Sequence, residues 1–203
     1  MKLYGDLISP FVRMTMVTAI ESGLTSRVQL INTAVKPHEV NAALEKLSPI
    51  GKIPILETDH GHALYDSRVI MEYFTHIGGS ATLLPHEGVK RFRILTMLAL
   101  AQGLADSLVS LRYEQAVRPE NARWPEYAER AKERINACLD EFENNWREDL
   151  QNVTLGAIAT AVALGYLDFR HDALNWRKDR TNLAQFNDRF IKRDSMINTA
   201  LKA

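Results

Sequence analysis

Two kinds of apolar pattern divide this chain. In its first part the apolar residues come in short β-type runs that alternate with helical patterns. Residues 2–5 read as a strand. Residues 10–22 read as a helix, with Ser9 at the N-cap, Pro10 at the first helical position and Gly23 just past the end. Residues 28–31 read as a second strand, and 37–47 as a short helix stopped by Ser48-Pro49-Ile50-Gly51. Residues 53–57 and 62–65 read as a hairpin that turns at His60-Gly61. Residues 67–77 then read as a helix closed by Gly78-Gly79. The predicted order is β-α-β-α-β-β-α.

The pattern changes after Gly88. Leu95, Leu98, Gln102, Ala105 and Val109 set a helical rhythm. Trp124, Tyr127, Ala131, Ile135, Cys138, Phe142 and Trp146 recur at three- and four-residue steps, as do Leu155, Ile158, Ala159, Val162 and Tyr166. No strand pattern and no internal repeat is visible there. The chain is therefore expected to be an α/β domain over residues 1–79, a linker over 80–87 and an all-helical domain over 88–203.

Composition removes several function classes. The 203 residues are 46% hydrophobic and 25% charged, as in an ordinary soluble protein. Lys plus Arg equals Asp plus Glu, at 25 each, so no global field draws the chain to nucleic acid or to an anionic membrane. The N-terminal residues lack the apolar core of a signal peptide. No apolar run reaches the roughly 18 residues of a membrane helix. The single cysteine, Cys138, allows no intramolecular disulfide, which suits a reducing cytoplasm. It sits on an apolar stripe and is expected to be a buried, inert thiol. The six histidines form no metal-ligand spacing, so no metal is expected, and no Gly-rich phosphate loop is present.

Three short clusters carry candidate chemistry. The first is Ser9-Pro10-Phe11-Val12-Arg13. Serine favours an N-cap, so a purely structural role is open. A helix start also offers partial positive charge and unpaired N–H groups, and both favour a thiolate over a thiol. A free thiol of pKa ~8.5 is mostly protonated near neutrality, and lowering it by two units is worth ~2.7 kcal/mol. A serine hydroxyl donating to the sulfur supplies part of that. The second cluster is Gly51-Lys52-Ile53-Pro54-Ile55-Leu56. Either isomer is open at Pro54. A cis bond turns the Ile53 backbone outward, where an extended peptide can pair with it as an added strand. The third is Asp66-Ser67, which caps the next helix or holds a group bearing both a carboxylate and an ammonium.

Together these clusters resemble the glutathione transferase superfamily, in particular small bacterial members with a Ser-Pro-Phe-Val-Arg start. Leu83-Leu84-Pro85 resembles the family's interdomain linker, Val153-Thr154-Leu155 with Ala159-Thr160-Ala161 its buried sixth helix, and Arg193-Asp194-Ser195 with Thr199 its closing segment. The resemblance implies a thioredoxin-like N-terminal domain followed by an all-helical C-terminal domain, in a two-fold homodimer. It implies glutathione as co-substrate and a small electrophile as acceptor. Ser9 would meet the sulfur, with Phe11 and Val12 walling its pocket. Ile53 would pair with the cysteinyl backbone, and Asp66 and Ser67 would hold the γ-glutamyl group. Lys52, Lys36 or His38 would meet the glycyl carboxylate. Asp106, Arg112 and Tyr113 would line the acceptor side.

Two departures shape the expectation. Many family members carry Cys or Tyr where this chain has Ser9. Serine forms no mixed disulfide, so conjugation is favoured over thiol–disulfide exchange. The sixth helix often begins with a capping box, but Thr154 is followed here by Leu155, Gly156 and Ala157. The acidic member is missing, and Gly156 reads as a weak spot. The alternatives are a non-catalytic binding module of the same fold, or a glutathione-dependent isomerase, dehalogenase or peroxidase.

Overall fold

A computed structural model of the chain describes residues 1–201. The first domain holds β1 (Lys2–Gly5), α1 (Pro10–Glu21), β2 (Gln29–Asn32), α2 (Ala42–Glu45), β3 (Ile55–Glu57), β4 (Ala63–Leu64) and α3 (Ser67–Ile77). Its sheet has the order β2-β1-β3-β4. β1 and β2 are parallel, with Leu3 beside Leu30, because α1 carries the chain back across the sheet between them. β3 runs antiparallel to β1, and β4 antiparallel to β3. Leu3, Val12, Ala19, Leu56, Ile70 and Phe74 form the core between the sheet, α1 and α3.

α1 begins as its sequence predicts, with Pro10 in the first turn. It ends when Leu24 N donates to Ala19 O (2.8 Å) and Gly23 N to Ile20 O (3.0 Å), while Gly23 takes a positive φ of 72°. This pair of bonds satisfies carbonyls that the helix leaves open. α3 spans its predicted residues, and the Asp66 side chain caps it by accepting from Arg68 N at 2.9 Å. The helix expected over 37–47 is shorter. Only Ala42–Glu45 is helical, started by the Asn41 side chain accepting from Leu44 N at 3.1 Å. Leu44 is the buried anchor, whereas Val40 is 77% exposed, so the residues before Asn41 have no apolar face to dock. The strand expected from residue 53 starts at Ile55, because Pro54 has no N–H to give a ladder.

The second domain holds α4 (Val89–Arg112), α5 (Pro125–Asn145), α6 (Leu155–Arg170), α7 (Thr181–Phe190) and α8 (Asp194–Ile197). α6 is the axis of this layer. Nearly every residue from Leu155 to Leu167 is buried, between α4 on one side and α1 of the first domain on another. Gly156 is not the weak spot that the sequence suggests. A Cβ there would stand 2.7 Å from Met97 Cβ, so glycine is what lets α6 approach α4. Nor is the missing acidic residue decisive, since Thr154 Oγ1 alone accepts from Ala157 N at 3.2 Å.

α4 runs without a break into a π-helical turn at Tyr113–Val117. The resulting helix, Val89–Val117, is long and apolar enough to cross a membrane by length and composition, which the sequence reading did not anticipate. Its apolar face is occupied by α5 and α6, as in the core helix of a globular domain. The linker is a series of turns, with Leu83 N donating to Ser80 O at 3.0 Å, and it is held in place. Leu83 and Leu84 are buried, and Leu83 O accepts from Leu155 N at 3.0 Å. Cys138 is half-buried, and burial pushes its thiol pKa up, as an inert thiol requires.

Polar clamps also fix the domains to each other. Arg13 on α1 is buried and donates to Met196 O at 3.2 Å and to Thr199 Oγ1 at 3.4 Å. Burial lowers its pKa to about 10. Glu21 accepts two bonds of 2.8 Å from Arg193 and one of 2.5 Å from Ser195. α1 of the first domain therefore packs against α6 and α8 of the second.

Candidate functional site

The turn between β1 and α1 is built by Asp6. Its Oδ1 accepts from Ile8 N at 2.8 Å, and its carbonyl accepts from Ser9 N at 2.9 Å. Ser9 then stands at the N-cap of α1 in an extended conformation, with φ −68° and ψ 122°. Its side chain makes no capping hydrogen bond. The bland role open to Ser9, an N-cap bond through its hydroxyl, is therefore not used, and the hydroxyl remains at a helix start whose first amides lack intrahelical acceptors.

A cleft of about 230 Å³ opens beside this helix start. α1 contributes Phe11, the loop before β3 contributes Lys52, Ile53 and Pro54, α3 and its N-cap contribute Ser67, Arg68 and Asp66, and α4 contributes Gln102 and Asp106. The Ile53–Pro54 peptide is cis. Three regions far apart in sequence, around residues 11, 52 and 66, thus meet at one place. Ser9 lies two residues before Phe11, just outside this lining.

The polar groups of the cleft are interlocked. Asp66 Oδ1 is engaged by the Arg68 amide. Arg68 Nε donates to Gln102 Oε1, and Gln102 Nε2 donates to Ser67 Oγ at 3.0 Å. Burial raises the Asp106 pKa above the ordinary aspartate value, Arg68 and Lys52 pull it back down, and Asp66 raises it again. Two cations and two carboxylates therefore share the space, a distribution suited to a ligand that carries charges of both signs.

A second cavity of about 710 Å³ lies farther along α4. Ser110, one turn beyond Asp106, lines it together with Tyr113 and Val117 from the π turn and Trp124 and Tyr127 from the start of α5. Trp124 and Tyr127 stack with ring centroids 6.1 Å apart. Pro37 and His38 close it from the first domain. Glu114 is buried and accepts both from Arg118 Nε at 2.7 Å and from the Trp124 amide, tying the loop back onto the π turn.

Several residues expected at the site stand elsewhere. Val12 is fully buried in the core of the first domain, against Gly5, and does not reach the cleft. Lys36 is exposed and pairs with Glu39 at 2.7 Å. His38 lies 3.7 Å from the same carboxylate and faces the second cavity, away from the first. Of the three residues expected on the acceptor side, Asp106 lines the first cleft, Arg112 lines neither cavity, and Tyr113 lines the second. The sequence reading missed Arg68, Gln102, Trp124 and Tyr127 as site residues. Gln102 had a visible signal, since it is the one polar residue in the rhythm Leu95, Leu98, Gln102, Ala105, Val109. Among the described residues no group of His, Cys, Asp or Glu is arranged to hold a metal ion.

Comparison with known proteins agrees with this architecture. Residues 8–77 match the family model of the glutathione S-transferase N-terminal domain, and residues 125–189 that of the glutathione S-transferase C-terminal domain. An uncharacterized GST-like protein of Escherichia coli K12, YibF, is 34% identical over 203 residues, covering 98% of each chain. A crystal structure of a glutathione transferase family member from Pseudomonas fluorescens Pf-5, with bound glutathione, superposes with a TM-score of 0.96 at 38% identity, covering 100% of this chain and 99% of that one. A glutathione S-transferase from Methylobacillus flagellatus KT with glutathione bound has a TM-score of 0.85 at 30% identity, covering 99% of each.

Proposed function

Because the chain belongs to the glutathione S-transferase family, we propose that it binds glutathione in the cleft beside α1 and adds the sulfur to a small electrophile held in the second cavity. Glutathione bound in the similar proteins from Pseudomonas fluorescens and Methylobacillus flagellatus supports the first half of this reading. The observation that carries the second half is the uncommitted hydroxyl of Ser9 at the α1 N-terminus.

The residues then take these parts. The Ile53 main chain precedes the first ladder residue of β3 and pairs with the cysteinyl unit. Asp66 and Ser67 receive the γ-glutamyl ammonium and carboxylate. Lys52, which lines the cleft as Lys36 and His38 do not, meets the glycyl carboxylate. This places the thiol near the start of α1. There the Ser9 hydroxyl donates to sulfur, and the helix N-terminus favours its negative charge. The thiolate attacks the electrophilic carbon of the acceptor, the new carbon–sulfur bond forms, and a leaving group such as halide departs with its electron pair. The aromatic wall of Tyr113, Trp124 and Tyr127 suits a flat apolar acceptor.

Val69, Val89 and Phe92 are 47%, 88% and 67% exposed on the neighbouring surfaces of α3 and α4, which the Arg91–Glu72 ion pair ties together. In this reading a second copy of the chain covers them. Sedimentation would then show a species of twice the chain mass.

Calorimetry with glutathione and turnover with a chlorodinitrobenzene-type acceptor test the proposal. Saturable glutathione binding and thioether formation that depends on Ser9 are expected. Absence of glutathione binding, or binding without turnover over halide, epoxide and enal acceptors, would rule out the transferase reading.

A further inference from the structure

Gln102 is a buried amide, 1% exposed, which α4 of the helical domain sends into a cleft built mainly by the first domain. Addition of the thiolate to an acceptor gives it no part. Both its ends are occupied by α3. Arg68 Nε donates to Oε1, and Nε2 donates to Ser67 Oγ at 3.0 Å.

Donor and acceptor chemistry fixes the direction of both bonds. A guanidinium has only donors, so the atom of Gln102 that faces it must be the oxygen. The other end is then an NH2 group, which also only donates. Ser67 Oγ must therefore accept from Gln102, and its own proton is left to point elsewhere. Ser67 is 4% exposed and lines the cleft, and among the described residues its hydroxyl proton meets no acceptor. A buried hydroxyl with an unspent proton is costly unless a ligand takes it.

We infer that Gln102, held by Arg68, is a positioning residue that commits the Ser67 hydroxyl to donate into the cleft, so that this end of the site selects an anionic oxygen, the γ-glutamyl carboxylate. The inference rests on the glutathione reading. It adds a division of labour within it: Ser67 is polarised as a donor for the carboxylate, while the adjacent Asp66, an acceptor only, faces the ammonium. Reversal of Ser67 would put two acceptors side by side and lose the discrimination.

Binding and steady-state measurements on Gln102→Met, Gln102→Glu and Ser67→Ala, singly and combined, test this. Gln102→Met removes the donor without adding charge. It should weaken glutathione binding by about tenfold, the loss of one charge-assisted hydrogen bond, and raise KM for glutathione at unchanged kcat. Gln102→Glu keeps a partner for Arg68 but accepts from Ser67, and should weaken binding at least as much. Combining Gln102→Met with Ser67→Ala should add nothing to Ser67→Ala alone. A glutathione analogue lacking the γ-glutamyl α-carboxylate should bind wild type and Gln102→Met equally. Additive losses, an equal penalty on the analogue, or wild-type affinity in either Gln102 variant would overturn the inference. Gln102→Glu decides it if Gln102→Met does not fold. Wild type that fails to bind glutathione removes the premise and the inference together. Wild type that binds while the Gln102 variants match it removes the inference alone.

Discussion

The two cavities share helix α4 and differ in how they are held. The first, about 230 Å³, is a small cleft in which the polar groups brace one another: Arg68 on Gln102, Gln102 on Ser67, and Asp66 on the Arg68 amide. The second, about 710 Å³, is three times roomier, and its walls are mainly aromatic and aliphatic surfaces that meet across a loop, with His38, Glu114 and Arg118 among them. Fixed, complementary charges fit one ligand closely, whereas a wide apolar wall accepts many shapes with little discrimination among them. A shared tripeptide on one side and a variable acceptor on the other is the arrangement this contrast supports.

In the proposed reading the contrast breaks most severely at Ser9, whose uncommitted hydroxyl stands at the α1 N-terminus beside the first cleft. Ser9→Ala should lower kcat/KM by roughly ten- to a hundredfold, the worth of a hydrogen bond to a charged group, with little change in glutathione affinity. The pH profile separates this from a structural loss. Activity of the variant should recover as pH rises through ~8.5, the pKa of a free thiol, because hydroxide then supplies the thiolate that Ser9 no longer favours. A uniform loss at every pH would mean that Ser9 only shapes the turn.

Lys52→Met comes next. It removes a cation from the first cavity alone. Glutathione affinity should fall by about tenfold, with KM for the acceptor unchanged, and the loss should shrink in high salt. Trp124→Ala is the mirror test on the second cavity. Loss of one stacked ring should raise KM for an aromatic acceptor by about three- to tenfold while glutathione affinity stays as in wild type. If either substitution moves both ligands equally, the cavities are not independent.

The same contrast explains how far the sequence could be read. The first-domain residues of the first cavity mostly announce themselves because they sit in short contiguous clusters: Phe11 after Ser9-Pro10, Lys52-Ile53-Pro54, and Asp66-Ser67 at a helix start; Gln102 and Asp106, which reach it from α4, share no such cluster. α3 was legible to the residue because Asp66 and Gly78 punctuate it. The isomer of Pro54 was not legible, since local sequence permits both. The second cavity joins Pro37, Tyr113 and Trp124, which share no local motif, and two local events hide it. Pro125 starts α5, so Trp124 falls outside the helix and is 62% exposed, whereas its spacing suggested a place on the buried stripe. The α-to-π change after Arg112 breaks the 3.6-residue phase, so a periodic reading cannot say that Tyr113 lines the cavity while Arg112 does not. Gly156 misled for a related reason. Propensity counts glycine as a defect in a helix, and only the neighbouring Met97 reveals why it is needed.

The smallest expected effect lies at the boundary between the cavities, at Asp106. Burial raises its pKa above the ordinary value of 3.8, although Arg68 and Lys52 oppose the shift. A carboxyl whose folded-state pKa is raised binds its proton more tightly in the folded chain than in the unfolded one. It therefore adds stability below the unfolded pKa, and that contribution is lost as pH rises through the folded value. At neutral pH the ionised Asp106 is a mild liability. Asp106→Asn should raise the melting temperature by only about 1–2 °C at pH 7, because the carboxylate stands at the open side of the cleft, where solvent screens much of the cost of its partial burial. The gain should vanish below pH 3.8, where wild type is protonated too. Glutathione should narrow the gap at neutral pH if its ammonium lies near this carboxylate, since the charge then has a partner that Asn cannot match. Thermal unfolding of both proteins at the two pH values, with and without glutathione, reads all three effects. A variant less stable than wild type at pH 7 would show that Lys52 and Arg68 outweigh burial, and that Asp106 belongs to the braced charges of the first cavity.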